Sequence, residues 1–246
     1  MKITAVIPAR YQSTRFPGKP LVEIAGIPMI VRVYERVKQV PGLDKVITAT
    51  DDERIYDVIE KNGGEAWMTS EDHRSGTDRI AEVASGLDCD LVVNVQGDEP
   101  LIKPEMITKA ISPFYEEKDL KMSTLKKKID DKSEINDPSV VKVVTDKKDN
   151  ALYFSRSPLP YPGQNENVNL FKHIGLYVFT REFLLKYSTM AAATLERIES
   201  LEQLRVLENG YKIKVVETKF NSIGVDKPED IHKVEQLLEK EGENNA

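Results

Sequence analysis

Arg10, Arg15 and Lys19 crowd into one short segment just after an apolar run, Ile3-Thr4-Ala5-Val6-Ile7, that stops at Pro8. Ser13, Thr14 and Gly18 lie among them. Hydroxyls and backbone N–H groups give directional donors, and Arg and Lys give charge, a combination suited to phosphate oxygens. The spacing is not that of a P-loop, because Pro20 follows Gly18-Lys19, and no G-x-G-x-x-G is present. A basic surface loop is the plain alternative.

A second segment, Val93-Asn94-Val95-Gln96-Gly97-Asp98-Glu99-Pro100, again places polar groups just past an apolar run. Gly97 lets backbone approach a ligand, and Gln96 offers both donors and an acceptor. Asp98 suits a hard divalent cation such as Mg²⁺, which takes one or two carboxylates together with phosphate oxygens and waters. The alternative is a simple turn. Ile223-Gly224-Val225-Asp226 repeats the arrangement; Asp226 is a second candidate Mg²⁺ ligand, although taken alone it reads first as the cap of a helix opened at Pro228.

Three further segments carry weaker signals. Asp72-His73-Arg74-Ser75-Gly76-Thr77 opens a helix whose free N–H groups suit an anion or base edges, or simply a capped helix. His173-Ile174-Gly175-Leu176-Tyr177 puts His173 and Tyr177 on one strand face. Leu195–Leu207 reads as a helix with leucines inward and charges solvated. No Cys–His pair and no G-x-S-x-G elbow argues for nucleophilic catalysis. These parts together make a Mg²⁺-dependent enzyme that handles a nucleoside triphosphate; they do not name its base or co-substrate.

The elements that must position these groups alternate. Strands are predicted at 2–7, Lys45–Thr50, Glu65–Met68 and Leu91–Val95. Helices are predicted at 28–39, from Asp52 to Gly63-Gly64, and from Ser75. Continuous apolar strands in β-then-α order imply a parallel sheet with helices on both faces, whose ligand crevice lies beyond the strands' carboxyl ends. The rhythm loosens later, with strands at Met122–Lys126, Val140–Thr145, His173–Phe179 and 213–216, a Pro-rich loop at 157–163, and a closing helix at Pro228–Lys240. We expect a nucleotide-binding α/β half at 1–118, a second half at 119–240, and a disordered tail at 241–246.

Bulk properties set limits. The chain has 246 residues, 40% hydrophobic and 31% charged, with a net charge of −6, and no basic block is longer than Lys126-Lys127-Lys128. A nucleic-acid groove is therefore not expected. Cys89 is the single cysteine, which excludes an intramolecular disulfide or a multi-cysteine metal site. No apolar stretch reaches transmembrane length and no signal peptide is evident, so a cytoplasmic protein without a membrane partner is expected.

The order of these motifs resembles the 3-deoxy-D-manno-octulosonate (Kdo) cytidylyltransferases. The matching residues are Pro8-Ala9-Arg10-Tyr11 through Ser13-Thr14-Arg15, Pro17-Gly18-Lys19-Pro20-Leu21, Ser75-Gly76-Thr77 and Asn94 to Pro100. They continue through Tyr153-Phe154-Ser155-Arg156, His173 to Tyr177, Leu201-Glu202-Gln203-Leu204-Arg205 and Gly224-Val225-Asp226. The resemblance implies a three-layer α/β/α fold like that of nucleotide-diphospho-sugar transferases, with a mostly parallel central sheet and a smaller second lobe. It implies CTP plus Kdo giving CMP-Kdo and pyrophosphate for lipopolysaccharide biosynthesis in a Gram-negative bacterium. By the same resemblance Arg10, Ser13 and Lys19 take the triphosphate, and Asp98 and Asp226 hold Mg²⁺. Ala9, Arg74, Ser75 and Gly76 meet cytosine or ribose. Arg15, Gln96, Arg156, His173, Tyr177, Glu202 and Gln203 line the sugar pocket, Arg156 pairing with the sugar carboxylate. A homodimer, built mainly from the second half, is also implied. The alternatives are another acidic sugar (8-amino-Kdo or a sialic acid), a nucleotide-sugar glycosyltransferase, or a non-catalytic nucleotide-binding module.

Overall fold

The computed structural model describes residues 1–12, 16–73, 75–161 and 169–244. In chain order the elements begin with β1 (Ile3–Ala9), a small hairpin of β2 (Glu23–Ile24) and β3 (Ile27–Pro28), α1 (Met29–Lys38), β4 (Lys45–Thr50) and α2 (Glu53–Lys61). They continue with β5 (Glu65–Met68), α3 (Gly76–Ser85), β6 (Leu91–Asn94), α4 (Pro104–Ile111) and α5 (Pro113–Glu116). Then come β7 (Met122–Lys128), β8 (Lys142–Thr145), β9 (Ala151–Ser155), β10 (Phe171–Thr180) and α6 (Arg181–Ser188). The chain closes with α7 (Thr194–Glu199), α8 (Leu204–Glu208), β11 (Lys214–Glu217) and α9 (Glu229–Asn244). No helix among the described residues is long and apolar enough to cross a membrane.

Two compact units emerge, and the division differs from the expected one. Unit 1 comprises 1–107 together with 222–246, and unit 2 comprises 108–221. The break falls after Ile107 rather than at 118, and the closing helix belongs to unit 1. The reason is apolar: Val234 of α9 and Val225 are buried with Ile24, Met29 and Leu101 in one cluster. The expected disordered tail is also corrected, since α9 runs to Asn244; residues 245–246 lie outside the described ones.

Unit 1 holds four parallel strands in the order β6-β1-β4-β5. Both faces of β1 are covered: Ile3, Ala5 and Ile7 are buried on one side, Thr4 and Val6 on the other. The predicted inward face of α1, Ile30, Val33, Tyr34 and Val37, is buried. Connections from β1 run outward to β4 and β5, then α3 returns the chain to β6 on β1's other flank. The loops after β1 and β6 thus leave neighbouring strands in opposite directions, a topological switch point where open sheets bind ligands. Strand β1 runs past Pro8 to Ala9. Val6 turns its carbonyl to β6, and Pro8, two residues on, points the same way, past the last β6 pair at Asn94. No ladder donor is lost there.

Unit 2 carries the antiparallel pairs. β10 runs antiparallel to β7 and β8, β9 pairs with β8, and β11 lies parallel to β7. Lys126 and Lys127 are buried, Lys126 against Asp149 at 2.7 Å, so the lysine block is largely interior. The single helix expected over 195–207 is two helices, broken at Ser200 in the left-handed region (φ 53°). α4 and α6 have no counterpart in the sequence expectations, and β8 begins at Lys142 rather than Val140.

Candidate functional site

Within unit 1, a cavity of about 300 Å³ opens at the switch point, and its walls include Ala9, Arg10, Lys19, Ser75, Gly76, Gln96, Gly97, Asp98 and Asp226. Such a volume is at the lower end for small-molecule sites. The end of β1 supplies Ala9 and Arg10, the β6 turn supplies Gln96 to Asp98, and α3 presents its N-terminus. Gly97 makes the approach possible: a Cβ there would stand 2.7 Å from the Pro8 carbonyl oxygen. Ser75 Oγ caps α3 by accepting from the Asp78 amide at 3.1 Å, leaving its own proton free to reach a ligand.

Lys19 is the hub. Its Nζ lies 2.6 Å from Asp98 Oδ2 and 3.6 Å from Asp226 Oδ1, and its side chain is only 15% exposed. Two carboxylates from distant parts of the sequence therefore converge on one cation. The Val225 amide donates to the Asp98 carbonyl at 2.9 Å and ties the two segments together. The cap reading of Asp226 is overturned, because it is Asp230 that accepts the Asp226 and Lys227 amides, at 2.8 and 2.9 Å. Glu99 does not line the cavity; burial pushes its carboxyl up to about 7, reinforced by the Asp98 charge and opposed by a hydrogen bond with Ser222.

Other wall residues went unassigned in the sequence. Arg79, one turn after Ser75 on α3, is 3% exposed, and its Nη2 meets Asp51 Oδ2 at 2.5 Å. His73 lies on the wall and pairs with Glu82, whose carboxyl that hydrogen bond holds below its usual range. The i+4 spacing from Ser75 to Arg79 marks one helix face, but a helix-surface charge reads by default as solvated. Ser13, Arg15 and Arg74 lie outside the described residues, as does the Pro-rich loop from Pro162.

Unit 2 gathers several of the remaining candidates. The rings of His173 and Tyr177 are 5.5 Å apart, and Phe154 meets His173 edge-on at 4.9 Å. A bulge between Ile174 and Tyr177 inserts two residues, so the face shared by His173 and Tyr177 survives. Thr124 Oγ1 lies 2.9 Å from His173 Nε2 and within reach of the Ile174 and Leu176 carbonyls. If the single hydroxyl proton goes to a carbonyl, the neutral His173 carries its proton on Nε2 and donates it to Thr124. Burial alone pushes the His173 imidazole down to about 3. Tyr177 donates to Gln203 Oε1 at 3.2 Å, and buried Gln203 Nε2 has no hydrogen-bond partner among the described residues. Glu202 is half-buried, and its carbonyl accepts from Tyr187.

Arg156 departs from expectation. Its Nε, Nη1 and Nη2 donate to the carbonyls of Glu199, Pro138 and Ser200 at 2.8, 2.9 and 3.3 Å. Three of five donors are committed to backbone, which clamps the end of α7 and leaves two donors uncommitted by these bonds.

The comparisons bear on this geometry. A family model described as Cytidylyltransferase matches residues 4–213. The 3-deoxy-manno-octulosonate cytidylyltransferase of Fusobacterium nucleatum is 56% identical across 100% of this chain and 99% of its own. The chain belongs to the 3-deoxy-manno-octulosonate cytidylyltransferase family. A solved structure of a CMP:2-keto-3-deoxy-manno-octonic acid synthetase complexed with CTP is 44% identical and covers 98% of this chain and 100% of its own, at a TM-score of 0.95. The 4-diphosphocytidyl-2C-methyl-D-erythritol synthase of Anaerococcus prevotii, 19% identical with a TM-score of 0.64 over 97% of this chain and 98% of its own, shares the fold alone. The expected mostly parallel sheet flanked by helices is that of this cytidylyltransferase family.

Proposed function

We propose that this cytidylyltransferase couples CTP to Kdo, giving CMP-Kdo and pyrophosphate for lipopolysaccharide assembly. The observation that carries the reading is the convergence of Lys19, Asp98 and Asp226 on a cavity at the switch point. The Kdo anomeric hydroxyl attacks the α-phosphorus and gives its proton to solvent, the bond to the bridging oxygen of the β-phosphate breaks, and pyrophosphate leaves with that electron pair. Such a transfer depends on positioning and charge neutralisation, which cations on flexible stems and fixed backbone amides supply. Lys19 offsets charge growing on pyrophosphate, Arg10 and Ser13 hold the triphosphate, and Ala9, Arg74, Ser75 and Gly76 receive cytosine and ribose. In unit 2 the Gln203 Nε2, without a hydrogen-bond partner among the described residues, together with His173, Tyr177 and Glu202, gives hydrogen-bonding sites for a polyhydroxylated acid. Gln96 and Arg15 are assigned to the same sugar.

Mg²⁺ fits the donor set. Asp98 and Asp226 are hard oxygen ligands already gathered round one positive charge, and phosphate oxygens and waters complete such a shell. Bound there, Mg²⁺ supplies charge neutralisation to the phosphates. The homodimer reading draws on unit 2, where among the described strands β9 ladders with β8 alone, apart from one Ala151 amide bond to the Ile213 carbonyl, and leaves Leu152 62% exposed. A nucleoside triphosphate donor supports a cytoplasmic reading of the reaction.

The test is pyrophosphate release from CTP and Mg²⁺ with Kdo, 8-amino-Kdo and N-acetylneuraminate offered separately. Release with Kdo is expected; release only with another sugar changes the substrate, and none with any sugar sinks the transferase reading.

A further inference from the structure

Tyr11 does not line the cavity, but it follows Arg10, which does, and its ring is held from several directions. On one side lies Gly18: a Cβ built there would stand 3.2 Å from Tyr11 Cζ and Oη, and Gly18 has φ 72°, so only glycine fits without strain. Arg54 also stacks on the ring, its Cζ 3.3 Å from the centroid. Arg54 is fixed in turn, with Nε and Nη2 on the two carboxylate oxygens of Asp52 at 2.9 and 2.6 Å, and Asp52 caps α2. The main chain repeats the link, since the Gly18 amide donates to the Tyr11 carbonyl at 2.9 Å. Lys19 follows directly and starts the short 3₁₀ turn Lys19–Leu21, which the Leu21 amide closes on Gly18 at 2.9 Å.

We propose that Tyr11, held against both Gly18 and the Arg54–Asp52 pair, is a positioning residue for Lys19, so that the start of α2 sets where that ammonium stands. An exposed guanidinium stacked at 3.3 Å and held bidentately by a helix cap is stiff on three sides. What the staple immobilises is the backbone from which Lys19 reaches Asp98 and Asp226. The proposal rests on the assignment of Lys19 to the triphosphate, and it adds residues that touch neither substrate nor metal.

The experiment pairs kinetics with a chemical probe on the full chain. Misplacing a charge by about an ångström costs about 10²-fold in turnover. Tyr11→Ala and Arg54→Ala should each lose that in kcat with unchanged melting temperature, while Tyr11→Phe, which keeps the ring, should retain wild-type turnover. On a Lys19→Ala background Tyr11→Ala should cost nothing further, because the two act as one unit; additive losses would overturn the proposal. Reductive methylation read by mass spectrometry gives an arm independent of the reaction. Lys19 should be protected in the wild type and in Tyr11→Phe, and labelled faster in Tyr11→Ala and Arg54→Ala. Equal labelling in all four overturns the staple, whereas absent pyrophosphate release in the wild type with the labelling pattern intact overturns only the assigned reaction.

Discussion

Asp226 turns its carboxylate to Lys19, while Asp230 in the first turn of α9 accepts the Asp226 and Lys227 amides just ahead of that helix. The two substitutions should therefore separate cleanly. Asp226→Ala should lower kcat by a factor of about 10²–10³ with little change in urea midpoint. Asp230→Ala should leave kcat nearly intact and cost about 1 kcal/mol of stability, read in the same urea titration. Reversal of the two phenotypes would return Asp226 to the role of a cap. Arg156 gives a second contrast at this scale. With its donors on the Glu199, Pro138 and Ser200 carbonyls, Arg156→Ala should loosen α7 and lower the melting temperature. A raised KM for Kdo at unchanged stability would instead make it the sugar-carboxylate partner. That partner comes from the family resemblance, and sequence cannot tell an arginine aimed at a ligand from one aimed at backbone carbonyls 18 to 44 residues away.

Elements were legible where local physics dominated. The buried strands β1, β4 and β6 and the amphipathic α1 and α2 follow from apolar runs and helical periodicity, and the site loops follow from where those strands end. The break at Ser200 was not legible, because Thr194 to Glu208 has helical spacing throughout. There the Leu201 amide closes back on the Glu196 carbonyl at 3.1 Å, while the Arg156 clamp holds the last carbonyls of α7. The turn after β6 offers a sharper test. Gly97→Ala would set a methyl 2.7 Å from the Pro8 carbonyl oxygen, backbone against backbone. We expect a stability loss of roughly 1–3 kcal/mol by urea unfolding. A larger fractional loss in kcat/KM should accompany it, because relief requires moving the segment that carries Asp98.

At the scale of the molecule, His173 makes the fold acid-sensitive. Its folded value near 3 lies below the ordinary 6.5, so the unfolded chain binds the proton that the folded chain refuses. Stability from this group is whole above pH 6.5 and falls progressively as pH drops toward 3. Urea titrations from pH 8 to 4 should show the wild type losing stability relative to His173→Gln below pH 6.5; parallel curves would mean the imidazole is not buried neutral. The assembly gives another molecular-scale expectation. Leu152→Glu on the exposed edge of β9 should shift a homodimer toward monomer in sedimentation, and an unchanged distribution would move the interface elsewhere.

Unit 1 is written in two pieces, 1–107 and 222–246, with the whole of unit 2 between them. During synthesis that gap becomes time. Asp98 emerges about 130 residues before Asp226, on the order of ten seconds at ordinary elongation rates. For that interval Lys19 has one carboxylate instead of two, and the pocket of Ile24, Met29 and Leu101 waits for Val225 and Val234. A nascent or truncated chain thus carries most of the nucleotide cradle but only half of the proposed metal site. The second carboxylate arrives in the same event that closes the apolar core, so under the proposed roles a chain lacking residues 222–246 should not consume CTP.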